Sequence, residues 1–173
     1  MQGCVVCRGK GVAWDPPIAA WTALAGMKIV REWANFGEFE AGDLVATIPS
    51  DSPFYAAGES DKAAFTDSSE AFSSIVLGGV DFLPFQTVSI DRVVWKDVNT
   101  GALVNGGMPM QDTAGNLSWP NGDGPPSVVQ YSISGRKVPV YYMFRDLVQD
   151  RHHSAGLPLP RRVVLRRLDL FAR

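Results

Sequence analysis

The sequence predicts a mainly β protein: an antiparallel meander forming a small barrel or sandwich, with long ordered loops, an N-terminal cysteine knuckle and a C-terminal arm. Three observations carry that prediction. From about residue 86 onward, apolar and polar residues alternate with a period of two. Turn phrases containing Gly, Asn and Ser interrupt the alternation between short apolar runs. Upstream, "SDSPFYAAGESDKAAFTDSSEAFSS" sets small apolar islands among turn formers, a composition for surface loops rather than long helices.

Taken in order, "AWDPPIAAWTALAG" carries Pro16 and Pro17, which oppose a helix start, so it reads as an irregular packed segment. "MKIVREW" fits a strand or one short turn of helix. "GDLVATIP" reads as a strand bounded by Gly42 and Pro49. The Ser/Asp-rich stretch that follows suits a long ordered loop or two short strands, with a helix through residues 56 to 65 as the alternative.

In "TVSIDRVVW", Val88 and Ile90 share one face and Val93 and Trp95 share the next. The shift of phase at Asp91-Arg92 predicts a β-bulge. "NTG" at 99–101 and "AGN" at 114–116 predict hairpin connections. "VVQYSI" places Val129, Tyr131 and Ile133 together, and "SG" at 134–135 is expected to turn the chain into "VPVYYMF". There Val138, Val140, Tyr142 and Phe144 are expected to line one side. Residues 86 to 145 thus predict a meander of roughly five strands, each burying one face, with Trp95, Tyr131, Tyr142 and Phe144 inward. "RRVVLRRLDLFAR" supports two readings: Val164, Leu165, Leu168, Phe171 and Ala172 keep helical spacing, while Val-Val-Leu suits a strand. Either way it reads as an arm that docks on something. The expected organisation is 1–26 as a Cys knuckle with a Trp/Pro-rich segment, 27–146 as a β-rich domain, and 147–173 as a basic arm.

Composition sets bounds on function. An apolar fraction of 46% and a charged fraction of 20% are those of an ordinary globular chain of 173 residues. No run of eighteen apolar residues predicts a membrane helix, and no basic stretch followed by an apolar core predicts a secretory signal. Acids outnumber bases from Glu32 to Glu70, while Arg161 to Arg173 holds five arginines and one aspartate. That asymmetry predicts either complementary contacts between unlike surfaces or a solvated charged face.

Cys4 and Cys7 are the only cysteines, in "CVVCRGKG". A tight Cys-x-x-Cys turn aims two thiolates at one point, half of a tetrahedral zinc site. The only histidines, His152 and His153, are the candidates for the other half, which would clip the N-terminus to the C-terminal segment. One histidine with Asp150 or a water is an equal arrangement, and reduced or reversibly oxidised thiols are the alternative to metal. A catalytic redox pair would need a thioredoxin-like βαβ pattern, which the sequence lacks. No nucleophile elbow and no phosphate-cradling loop is present, so no enzyme is expected. Trp14, Trp21 and Trp33 cluster beside the prolines as a satellite core or an interface, with a carbohydrate platform as a further reading. The basic tail could follow nucleic-acid phosphates, yet its interleaved Val, Leu and Phe are costly to expose, which favours burial against a neighbouring subunit.

The spacing Cys-x-x-Cys-x-Gly-x-Gly resembles one half of the zinc knuckle of DnaJ-type chaperones; those use such phrases in pairs and this chain has one, so the chaperone function does not carry over. Across residues 26–173, "GDLVATIPSDSPFYAAGESDKAAFTDSSEAFS", "SIDRVVW", "VVQYSISGRKVPVYYMFRDLVQDR" and "LPRRVVLRRLDLF" resemble small structural proteins of the head-to-tail region of tailed bacteriophages. That resemblance implies a non-enzymatic virion protein, assembled in the bacterial host cytoplasm. It would form a symmetric homo-oligomeric ring at the neck, contacting portal or adaptor and tail proteins. It implies no membrane and at most indirect contact with nucleic acid. Arg161, Arg162, Arg166 and Arg167 are then expected at subunit or portal contacts, and Cys4, Cys7, His152 and His153 at a structural zinc. The alternative is a small zinc-knuckle module that binds nucleic acid or a partner protein.

Overall fold

The computed structural model describes residues 15–24, 42–147 and 153–168. In chain order the strands are β1 (Ala23–Leu24), β2 (Leu44–Ile48), β3 (Lys62–Ala64), β4 (Glu70–Leu77), β5 (Thr87–Lys96) and β6 (Leu103–Asn105). They continue with β7 (Met110–Gln111), β8 (Leu117–Ser118), β9 (Gln130–Lys137), β10 (Val140–Asp146), β11 (His153–Ser154), β12 (Leu157–Pro158) and β13 (Arg161–Arg167). The chain is mainly β and its sheets are antiparallel, as the sequence predicts. It divides into two compact units, Met1–Asp61 with Met143–Arg166, and Lys62–Tyr142 with Arg167–Arg173. The division falls inside β10.

In the first unit β2 pairs with β1 on one side and with β13 on the other, Arg161 opposite Ile48 through Leu165 opposite Leu44. Val45, Ala46, Ile48, Val163, Val164 and Leu165 are all buried. A continuous apolar run on paired strands is the pattern of a strand covered on both faces. The β-branched Val-Val pair thus sets Arg161–Arg167 as a strand, which pairs with β2 of its own chain, while Phe171 and Ala172 of the helical reading lie outside the described residues. The helix considered over 56–65 does not form. A short 3-10 turn spans Pro53–Ala56, capped by the Ser52 hydroxyl, and β3 starts at Lys62. Between them the Asp61 carboxylate accepts the Gly58 N–H at 2.8 Å, a local side-chain bond that offers the backbone an alternative to helix.

The second unit holds a four-stranded sheet in the order β4-β9-β5-β6. Its core is Val76, Leu83, Val93, Leu117, Tyr131 and Ile133, with Phe72, Phe85, Ile90, Trp95 and Trp119 packed against it. The inward placement of Val93, Trp95, Tyr131 and Ile133 follows the sequence pattern. So does the bulge: the β5–β9 register shifts between Ile90 and Arg92, and again between Thr87 and Ser89. Both turn phrases close hairpins. In the β5–β6 turn the Asp97 carboxylate accepts N–H groups of Asn99 and Thr100 at 2.7 and 2.8 Å. In the β7–β8 turn Asp112 does the same for Ala114 and Asn116.

Three expectations for this region are corrected. Ser134-Gly135 is not a turn; both residues lie inside β9, and the chain reverses after Lys137. A Cβ on Gly135 would stand 2.2 Å from the Ser89 carbonyl oxygen, so the glycine serves the close approach of the bulged β5. In β10 the buried residues are Tyr141 and Met143, with Val138, Val140, Tyr142 and Phe144 only partly covered, the reverse of the expected phase. Every residue from 138 to 144 is apolar or proline, so alternation carries no phase there. The connectivity is also not a simple meander, because β9 inserts between β4 and β5, while β10 pairs with β3.

Candidate interaction surface

The C-terminal arginines flank the buried run of β13, and three of them bond side chains of other strands and loops. Arg166 forks onto Asp43, Nε at 3.1 and 3.2 Å from the two carboxylate oxygens and Nη2 at 2.9 Å from Oδ2. The guanidinium also lies 3.8 Å from the centroid of the Phe144 ring. Side-chain exposures of 7% and 0% make this a buried ion pair. Arg161 grips Asp146 through Nε and Nη2 at 2.6 and 2.8 Å, while Nη1 donates to the carbonyls of Tyr55 and Ala57. The bond to Asp146 raises its already high pKa. Arg167 pairs with Glu70 on β4, and Lys137 on β9 reaches the same carboxylate at 3.3 Å. Arg162 is exposed, opposite Thr47 in the β2 register. Of the four arginines expected at subunit contacts, Arg161, Arg166 and Arg167 have intrachain partners. Nothing local in the sequence marks Asp43 and Glu70 as the partners of Arg166 and Arg167, which lie 123 and 97 residues away.

A different surface carries exposed apolar side chains. Strand pairings define rows across the second unit's sheet: Val76–Tyr131–Trp95–Val104 faces the core, and Ile75–Ser132–Val94–Asn105 lies on the opposite face. On that outer face Ile75 and Leu103 are each 74% exposed, and Leu77 is 38% exposed. These residues approach one end of the sheet, where the connections carry Val80, Val98 and Val128, 63 to 82% exposed.

Val128 is held there under strain. Its φ of 65° is a left-handed conformation, costly for a β-branched residue. Hydrogen bonds Val128 N–H to Gly78 O and Gly78 N–H to Val129 O, both 2.9 Å, lock the two connections together. Gly78 is required at that crossing, since a Cβ would meet the Pro126 carbonyl oxygen at 2.3 Å. Beneath it, the Tyr131 hydroxyl donates to Asp81 at 2.9 Å. Burial, then the Asp81 carboxylate, pushes the phenol's pKa up and keeps it neutral. At this part of the rim, backbone hydrogen bonds hold the connections that carry Val80 and Val128 to one another. The rim's sequence signal was present in "EAFSSIVL", where Ala71, Ser73, Ile75 and Leu77 alternate with Phe72, Ser74 and Val76.

Cys4, Cys7 and His152 lie outside the described residues, and His153 is described only as the first residue of β11. Among the described residues no group of three His, Cys, Asp or Glu side chains is placed to hold a metal ion. No protein-family model matches the chain, and comparison with curated proteins finds no match.

Proposed function

We propose that the protein is a non-enzymatic structural subunit of a tailed-phage virion, a ring-forming component of the neck or head-tail connector that joins portal and tail. The observation that supports this reading best is the exposed apolar rim on a strained but hydrogen-bonded support. Exposed apolar side chains at both edges and one end of a sheet suit an interaction site, and preorganisation lowers the cost of association. The partners are further copies of the chain, with portal or adaptor and tail proteins at the ring's two faces. Arg162 stays with the contact surface, whereas Arg166 serves the fold. Two thiolates and an imidazole are a zinc donor set. Zinc held by Cys4 and Cys7 with His152 or His153 would tie the chain's ends together.

Native mass spectrometry of the purified chain tests both elements. The reading expects a closed oligomer with zinc in stoichiometric amount. A zinc-bound monomer whose DNA affinity falls steeply with salt would instead favour a zinc-knuckle nucleic-acid module.

A further inference from the structure

The order β4-β9-β5-β6 leaves β4 and β6 at the two edges of the sheet among the described strands. An edge strand presents a row of backbone donors and acceptors that templates pairing with another chain unless charge, proline or a bulge blunts it. β4 runs for eight residues with no proline and no bulge in its register against β9. Its one charge, Glu70, sits at its start and is engaged by Lys137 and Arg167.

Direction and facing then select the partner. Each neighbouring pair in this sheet is antiparallel, so the outermost strands β4 and β6 run opposite to one another. A second copy in the same orientation therefore sets its β6 antiparallel to β4 of the first, continuing the alternation. At level register, following the rows across the sheet, Val104 of the second copy lies beside Val76 on the core face, and its Leu103 beside Leu77 on the outer face. A slide of two residues keeps both faces matched and puts Leu103 beside Ile75; a slide of one would invert them. Each allowed register covers the most exposed apolar side chains on the outer face of both edges.

We propose that β4 of one copy pairs with β6 of the next, making the sheet continuous between subunits. This rests on the ring reading and names its contact. Edge-to-edge pairing of unlike strands is heterologous, and a heterologous contact closes a ring when the rotation permits.

Cysteine variants test it by mild oxidation: Leu103→Cys mixed with Leu77→Cys for the level register and with Ile75→Cys for the two-residue slide, each variant also oxidised alone, with the unsubstituted chain as control for Cys4 and Cys7. A covalent dimer that forms in one of the mixtures and not in any variant alone supports the pairing. Cross-linking of any variant with itself overturns it in favour of a two-fold contact. In parallel, Ile75→Lys and Leu103→Lys, both on exposed sites, are expected to lower the assembled fraction by about tenfold or more. Their circular dichroism should be unchanged. Oligomers that persist in both lysine variants without a mixed cross-link overturn the edge contact and leave the ring reading standing. A chain that stays monomeric at every concentration overturns both.

Discussion

Replacing Asp43 with alanine should destabilise the first unit more than any single surface change. The Asp43 side chain is fully buried, and its two oxygens take three contacts of 2.9 to 3.2 Å from Arg166. The alanine variant removes those acceptors and leaves a guanidinium only 7% exposed in a poorly solvated position over the Phe144 ring. Breaking a buried ion pair from one side costs about 3–5 kcal/mol, because the remaining charge keeps its desolvation penalty. With a urea slope of about 2 kcal/mol per molar, the midpoint should fall by about 2 M. Urea titration read by hydrogen exchange at the amides of Val163–Leu165 reports this unit specifically, since those residues pair with β2. Removing both charges, Asp43→Leu with Arg166→Met, should recover most of the loss. A shift of under 1 kcal/mol in Asp43→Ala would refute the reasoning, since the pair would then behave as a surface salt bridge.

Four further outcomes follow from local geometry. Gly135→Ala should cost about 1–3 kcal/mol or more in thermal or urea unfolding, because its Cβ meets backbone atoms of Ser89 and Ile90 at 2.2 and 2.9 Å. Gly58→Ala, with no neighbouring atom nearer than 4.0 Å, should be neutral or stabilising by up to about 1 kcal/mol. Val128→Gly should raise stability by about 0.5–1 kcal/mol through release of the left-handed strain while weakening assembly, measured by unfolding and sizing together. Hydrogen bonds from the Thr100 and Asn99 amides lower the Asp97 pKa. The β5–β6 turn should keep that contribution at neutral pH and lose it as pH falls through the depressed value, below about pH 4. Amide shifts of Asn99 and Thr100 followed against pH would show this, and Asp97→Ala should abolish the step.

The second unit was more legible in sequence than the first, and the reason is period. Where apolar and polar residues alternate strictly, as in Val129-Tyr131-Ile133, one face is fixed before any contact is known, and a break such as Asp91-Arg92 reads directly as a bulge. Where every residue is apolar, as from Val138 to Phe144, the inward face is chosen by what packs on it, and Tyr141 and Met143 were not distinguishable. Gly135 shows a further limit: a serine-glycine pair marks either a turn or a close approach, and only the neighbouring β5 backbone separates them. The alternation in Glu70–Leu77 was masked by the turn-rich stretch before it, which reads as loop and draws Ile75 and Leu77 into it. The partners of Arg166 and Arg167 were hidden because ion pairs across more than ninety residues leave no local trace.

The central claim is that this chain assembles with itself through the edges of its second sheet. Native mass spectrometry of the intact protein, alongside the mixtures of Leu103→Cys with Leu77→Cys and with Ile75→Cys, tests it most directly. The account predicts a closed oligomer of identical subunits, with a covalent link that appears only when two variants are combined. A monomer across the concentration range, or a link that forms within a single variant, would contradict it.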